Sequence, residues 1–269
     1  MNNNCITIAI VNQKGGVGKT TTTYNLGWEL GQLGKKVLLV DLDSQGNLTM
    51  QSGISIPDNL DVSISNLMTN YLYEKDLPER CDLVIEKKMV DMLPANIELS
   101  DVEVQLVTAT MREFVLDSVL EEYRKDYDYI LIDCMPSLLM LPVNALATAD
   151  QVIIPVEPEL WAVKGMETLF KTILKVKKRI NRQLKIAGIL ITKYNPNLKL
   201  TKAMEQTIED VFGESINIFD AKIPNSVKVA EAGAKALSMR EYAETHRDDM
   251  SLKVVGAYEA LAREIISKE

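Results

Sequence analysis

Lys14 and Lys19 flank a glycine-rich run in Asn12-Gln13-Lys14-Gly15-Gly16-Val17-Gly18-Lys19-Thr20-Thr21. That spacing suits phosphate chemistry. Glycines let successive backbone N–H groups turn inward around phosphate oxygens with no Cβ in the way. A helix beginning directly after such a loop adds the positive end of its dipole to the anion site. Lys19 is placed to reach β- and γ-phosphates, and the Thr20 hydroxyl to ligate Mg²⁺. Gly15, Gly16, Val17, Gly18 and Thr21 complete the candidate cradle. The chemistry requires a strand before the loop and a helix after it. The apolar run Ile6 to Val11 and the helix-patterned Thr22 to Leu33 supply both. A glycine-rich turn without nucleotide is the competing reading, and the complete strand–loop–helix setting favours a site for a nucleoside triphosphate.

Lys14 has no part in the minimal phosphate-loop pattern. At the mouth of the loop it could meet phosphates on a facing subunit, or it is a solvated surface lysine. Three carboxylates follow strands. Asp41 and Asp43 lie in Val40-Asp41-Leu42-Asp43-Ser44-Gln45-Gly46-Asn47, and Asp133 ends Tyr129-Ile130-Leu131-Ile132. An Asp-x-Asp turn alone says little, because aspartates are common loop formers. Asp133 either ends a strand or holds Mg²⁺, directly or through water, and the phosphate loop favours the metal role.

The run Lys14-Gly15-Gly16-Val17-Gly18-Lys19-Thr20 resembles the deviant Walker A loop of the ParA/MinD superfamily of dimerising ATPases. The resemblance implies that Lys14 crosses a nucleotide-sandwich homodimer to the partner's phosphates, acting like an arginine finger in trans. The Asp41–Asn47 run is similar to the family's Asp-x-Asp-x-Gln-Gly-Asn segment, which gives Asp43 the role of positioning or activating the attacking water; its place just beyond a strand end also lets it orient second-shell Mg²⁺. Asp133-Cys134-Met135-Pro136-Ser137-Leu138 resembles its Asp-x-Pro-Pro-Ser-Leu switch, with Met135 in place of the first proline. Ile153 to Ala162 resembles a segment near the dimer interface; read alone, it is a strand-to-helix loop with a buried Trp161. Pro224, in Ile223-Pro224-Asn225, falls where the family packs a loop on adenine. ATP and Mg²⁺ are the implied cofactors, and weak ATP hydrolysis the implied activity.

The elements that must position these groups alternate. Strands are expected over Val37–Asp41, within Val84–Leu93, over Tyr129–Asp133, Gln151–Val156 and Ile186–Thr192, and in a short run ending at Ile223-Pro224. Helices are expected near Met111–Tyr123, Lys164–Asn181, Thr201–Phe212, Ser226–Gly233 and Met250–Ile266. Phe114, Val115, Val119 and Leu120 would form the buried face of the first, and Leu252, Val255, Leu261 and Ile265 that of the last. Continuous apolar strands suit a parallel sheet covered on both faces. The fold class is therefore α/β, a doubly wound, mostly parallel sheet with ligands at the carboxyl ends of its strands.

The chain has 269 residues, 46% apolar, and no linker or repeat divides it, so one ATPase domain over 1–269 is expected. No window approaches the apolar length of a membrane span. Met1-Asn2-Asn3-Asn4 has no signal-peptide character. Cys5, Cys81 and Cys134 are odd in number, without metal-ligand spacing, and read as buried thiols of a cytoplasmic protein. His246, the only histidine, lies in a polar stretch with no companion for metal or acid–base work.

Net charge is −8, yet Lys171 to Lys202 holds ten Lys/Arg and no acid, leaving 20 basic against 38 acidic side chains elsewhere. Segregation of this kind sets a local positive field on an acidic body. Lys164, Lys171, Lys175, Lys178 and Arg182 follow helical spacing as one stripe. Leu169, Phe170, Ile173, Leu174 and Ile180 are the expected packing face. The stripe is either a solvated face or a phosphate-backbone surface. Its lack of interleaved acids favours the latter, as do Lys199 and Lys202 near a helix start.

The whole chain most resembles the small ParA/Soj-like partition type, which implies ATP-dependent, non-specific DNA binding and a nucleoid-associated cytoplasmic location. A ParB-like, centromere-bound protein is the implied trigger of hydrolysis. The chain starts almost at the first strand, so no DNA-reading N-terminal domain is expected. Asn197 and Asn225 stand where relatives often carry DNA-contacting arginines. DNA contact would then rest more on Lys193, Lys199, Lys202, Lys222 and Lys228. A MinD-like membrane switch is the first rival, but the mixed charge of Leu261–Glu269 reads as a packed helix and implies no stable membrane association. A nitrogenase-iron-protein-like carrier lacks its paired cysteines, and no substrate pocket marks a metabolic ligase or kinase.

Overall fold

The computed structural model describes residues 5–79 and 83–268, so the expectations for Met1–Asn4 and Cys81 fall outside it. The chain runs β1 (Ile6–Ile10), α1 (Lys19–Gln32), β2 (Val37–Leu42), α2 (Asn47–Gln51), α3 (Ile64–Leu72), β3 (Ile85–Glu86), β4 (Asp91–Leu93), α4 (Leu99–Thr108) and α5 (Val115–Leu120). It continues β5 (Tyr129–Cys134), α6 (Met140–Thr148), β6 (Gln151–Val156), α7 (Ala162–Arg179) and β7 (Lys185–Ile191). The last helices are α8 (Lys199–Phe212), α9 (Val227–Ala234), α10 (Met239–His246) and α11 (Asp249–Ser267).

The strands form one seven-stranded sheet in the order β3-β4-β2-β5-β1-β6-β7, with only β3 antiparallel to its neighbour. The apolar strands that suggested a two-sided sheet are buried on both faces. Ala9, Leu38, Val40, Ile130 and Ile132 face the layer containing α3 to α8. Ile8, Ile10, Leu39, Tyr129 and Leu131 face α1, α10 and α11. Each fully buried Leu or Ile adds about 1.5–3 kcal/mol of hydrophobic stabilisation, so the central strands form a stiff floor.

Helix α1 lies unusually close to that floor. A Cβ at Gly27 would stand 2.6 Å from Leu39 Cδ2, and one at Gly31 would stand 2.3 Å from the Met89 carbonyl oxygen. At Gly31, where the neighbour is backbone, only glycine permits this approach; at Gly27 a Cβ would have to displace the end of the Leu39 side chain.

Several expectations need correction. The helix expected over Met111–Tyr123 is broken into a 3₁₀ turn at Arg112–Phe114, α5, and a second 3₁₀ turn at Tyr123–Lys125. Met111 adopts a φ of 52°, in the left-handed region, which prevents an α-helix from starting there. The strand expected to end at Ile223-Pro224 is reduced to isolated bridges, Ile189 to Ile218 and Tyr194 to Pro224, because proline has no N–H to extend a ladder. Leu252 and Leu174 are exposed, not packed. Cys134 is buried and Cys5 half-buried. His246 closes α10, stacked on Tyr242 with centroids 3.9 Å apart and with Nε2 3.2 Å from Lys235 Nζ.

Candidate functional site

The loop between β1 and α1 is held from its flanks, which leaves its concave side free. The Asn12 side chain donates to the Pro155 carbonyl at 2.8 Å and accepts from Lys14 N–H at 2.9 Å. Gln13 donates to the Gly165 carbonyl at 2.7 Å, and Thr192, just past β7, donates to the Val17 carbonyl at 2.8 Å. Gly16 and Gly18 adopt φ of 74° and 86°, a conformation strained for any residue bearing a Cβ. Gly18 in this conformation caps α1, which starts at Lys19.

The two lysines part company. Lys19 is 7% exposed and donates to the Lys14 carbonyl oxygen at 3.2 Å. Burial pulls its ammonium below the ordinary range, while Asp133 pulls it back up. It is a cation held inside the site. Lys14 projects outward at the rim and pairs with Glu159.

β1, β2 and β5 bring Ile10, Asp41 and Asp133 to one level, since Asp133 is in register with both of the others. Asp133 is 1% exposed; its Oδ1 faces the Thr23 hydroxyl at 3.5 Å, and its Oδ2 has no protein partner. Burial pushes its carboxyl well up, Asp41 adds to that, and Thr20 and Lys19 oppose it. A buried carboxylate oxygen without a partner, beside the Thr20 hydroxyl and a lysine, fits a Mg²⁺ held by one or two protein groups plus phosphate oxygens. No cluster of three His, Cys, Asp or Glu side chains suited to a metal occurs among the described residues, and such a site does not require one. Asp43 is 7% exposed, and its Oδ1 accepts from Gln45 N–H at 3.0 Å. Asp41 is engaged elsewhere, accepting from Thr49 N–H and Thr49 Oγ1, both at 2.8 Å.

A cleft of about 560 Å³ is lined by Gly15, Gly16, Gly18, Lys19, Thr20, Thr21, Asp43, Pro136 and Lys193, among others. A second hollow of about 310 Å³ shares Gly18, Thr21, Lys193 and Gly233 with it and is walled by Pro224 and Tyr258. The cleft at the phosphate loop thus continues into a smaller recess, a shape suited to phosphates followed by a base. Two residues of the expected cradle line neither hollow: Val17, which is buried beneath the loop, and Lys14, whose side chain is half exposed beside it.

The expected DNA-facing lysines separate into two groups. Lys171, Lys175 and Lys178 on α7, Arg182 beyond it, and Lys199 and Lys202 on α8 are exposed and form no salt bridge among the described residues. Lys193, Lys222 and Lys228 are each tied to a carboxylate: Glu157, Glu205 and Glu231. Trp161 is 77% exposed, which overturns the reading of it as a buried loop residue. Sequence reasoning gave no role to Thr49, Thr192, Glu157 or Glu159. Only the last two had a local signal, as the two acids of the interface-like segment.

Residues 5–186 match the family model described as an AAA domain. The chromosome-partitioning ATPase Soj of Treponema pallidum is 37% identical over 263 residues, covering 98% of this chain and 98% of that protein. The chromosome partitioning protein ParA of Caulobacter vibrioides is 37% identical over 270 residues, covering 97% and 94%. Among solved structures, cobyrinic acid a,c-diamide synthase from Mycobacterium smegmatis, with bound ATP analogue and magnesium, superposes with a TM-score of 0.81 at 30% identity, over 98% of this chain and 97% of that one.

Proposed function

This chain belongs to the ParA/Soj family of P-loop ATPases, and we propose that it is an ATP-dependent, dimerising DNA-partition ATPase. Residues 1–269 then act as one ATPase domain that hydrolyses ATP slowly. The reading is carried by the divided placement of the two lysines, Lys19 within the cleft and Lys14 on its rim. A rim cation does little for its own chain's phosphates and is available to those of a facing copy. Lys19 and the loop N–H groups would bind the triphosphate, and Pro224 would flank its base. Thr20 and Asp133 would hold Mg²⁺, which supplies charge neutralisation across the β- and γ-phosphate oxygens when bound. Asp43 would orient the attacking water, and the neighbour's Lys14 would neutralise charge as the terminal phosphoryl group departs.

In this scheme the ATP-bound pair lies on DNA without sequence choice, through Lys171, Lys175, Lys178, Arg182, Lys199 and Lys202. Hydrolysis stimulated by a ParB-like, centromere-bound protein releases it, so nucleotide state is the output. The protein would be cytoplasmic and nucleoid-associated. A MinD-like membrane role is disfavoured by α11, whose Val254, Tyr258, Leu261 and Ile265 are consumed in the core. Among the described residues no helix is long and apolar enough to cross a membrane.

Sedimentation velocity of Asp43→Ala with ATP and Mg²⁺ tests the reading. A stable dimer that retains random-sequence DNA is expected. A monomer at saturating nucleotide would end the proposal.

A further inference from the structure

The turn after β6 carries two carboxylates, and each takes one cation at the edge of the nucleotide cleft. Glu159 pairs with Lys14, and Glu157 Oε2 lies 3.1 Å from Lys193 Nζ. The turn is compact: Glu159 N–H donates to the Glu157 carbonyl at 2.9 Å, and Ala162 N–H to the Glu159 carbonyl at 3.0 Å. The two carboxylates are near enough to interact, and Lys14 holds the Glu159 carboxyl below its usual range. Lys193 borders both the phosphate-loop cleft and the smaller recess, and it adopts a φ of 49°. A non-glycine residue seldom occupies that left-handed region without being over-determined by its surroundings. Directly after the acids come Leu160 and Trp161, 66% and 77% exposed.

We infer that Glu157 and Glu159 are positioning residues that hold Lys193 and Lys14 in the nucleotide-free protein and surrender them to phosphate. The Lys14 half of this inference rests on the nucleotide-sandwich reading above. A triphosphate is a denser anion than a carboxylate, so each lysine gains by the exchange. Lys193 turns to nucleotide on its own chain. Lys14 leaves Glu159 for nucleotide on a facing chain, so the turn bearing Leu160 and Trp161 loses one ionic tether when nucleotide binds and the other when two chains pair. Glu157 therefore tunes nucleotide affinity, and Glu159 the affinity of one chain for the next.

Both pairs are partly exposed, so each is expected to shift an equilibrium by only about two- to fivefold. Glu157→Gln and Glu159→Gln keep shape and hydrogen-bonding capacity while removing charge. Two constants are measured for each: ATPγS affinity at concentrations where the chain is monomeric, by calorimetry, and the dimer constant at saturating ATPγS and Mg²⁺, by sedimentation. Glu157→Gln is expected to tighten ATPγS binding and leave the dimer constant alone. Glu159→Gln is expected to tighten the dimer and leave ATPγS binding alone. A merely structural acid would weaken both constants on substitution. Unchanged constants, weaker ones, or two constants moving together would overturn the inference. A wild-type chain that binds ATPγS but never dimerises would instead overturn the sandwich reading, with the Glu157 arm still measurable.

Discussion

Asp41 and Asp133 occupy matched register positions on adjacent parallel strands, and their surroundings give them different work. Thr49 closes off Asp41 with two hydrogen bonds of 2.8 Å, tying α2 to β2, and burial lifts its carboxyl to about 7. Asp133 keeps one buried oxygen open beside Thr20. Asp133→Asn is therefore expected to weaken Mg²⁺-dependent ATPγS binding by about tenfold or more, at about 1.4 kcal/mol per decade, with little change in melting. Asp41→Asn is expected to lower the melting temperature and preserve the Mg²⁺ dependence. Titrating Mg²⁺ against both variants decides, and equal Mg²⁺ responses would contradict the division of roles.

Among the described residues Lys19 is the buried lysine of the cleft, so Lys19→Ala is expected to abolish nucleotide binding. Lys14→Ala leaves the cradle intact and is expected to bind ATP within about threefold of wild type, a change under 1 kcal/mol, while losing dimerisation and turnover. Fluorescent-nucleotide binding beside sedimentation separates the two. Dimers of Lys14→Ala would refute the trans role.

Exposed, unpaired lysines release counterions when they meet phosphate, at about 0.9 in the log–log salt slope for each contact. The triple variant Lys171→Glu, Lys175→Glu, Lys178→Glu is expected to flatten that slope by about 2 to 3. Lys222→Ala and Lys228→Ala are expected to alter it by less than about 1, because Glu205 and Glu231 already engage those side chains. Random-sequence DNA binding across a salt series provides the measurement.

Glu29 is 2% exposed and is held by Arg240, which also reaches Glu259 at 3.1 Å. Burial raises the Glu29 carboxyl above its ordinary 4.5, with Arg240 opposing. The folded chain thus holds this proton more tightly than the unfolded one. The group's contribution to stability is complete below 4.5 and is lost as pH rises through the raised value. Arg240→Met removes the opposing cation, so its cost is expected to grow with pH, toward about 3–5 kcal/mol once Glu29 must ionise unpaired. Urea unfolding at pH 4 and pH 8 checks the direction; a pH-independent cost would speak against it.

The phosphate loop and the central strands were legible because their signals are local: glycine spacing and uninterrupted apolar runs. Helix α10 announces itself through Ser238 and Glu241, which form a reciprocal cap, yet its short polar sequence was passed over. Helices α3, α4 and α6 carry too few residues for their period to stand out, and tertiary burial decides them. The ties from Glu157 and Glu159 to Lys193 and Lys14 join residues 36 and 145 positions apart, a distance no local pattern encodes.

Gly27 seats α1 on the Val37, Leu39 and Leu131 side chains of the sheet and Gly31 on the Met89 carbonyl of the β3–β4 turn, and those contacts make the two sides of the cleft mechanically unequal. The α1 wall has little room to shift, because at Gly31 its backbone lies directly against the Met89 carbonyl. Widening to admit or expel a ligand falls to the opposite bank, where Lys193 and Pro224 rest on irregular chain. The molecule therefore has an anvil side and a hammer side.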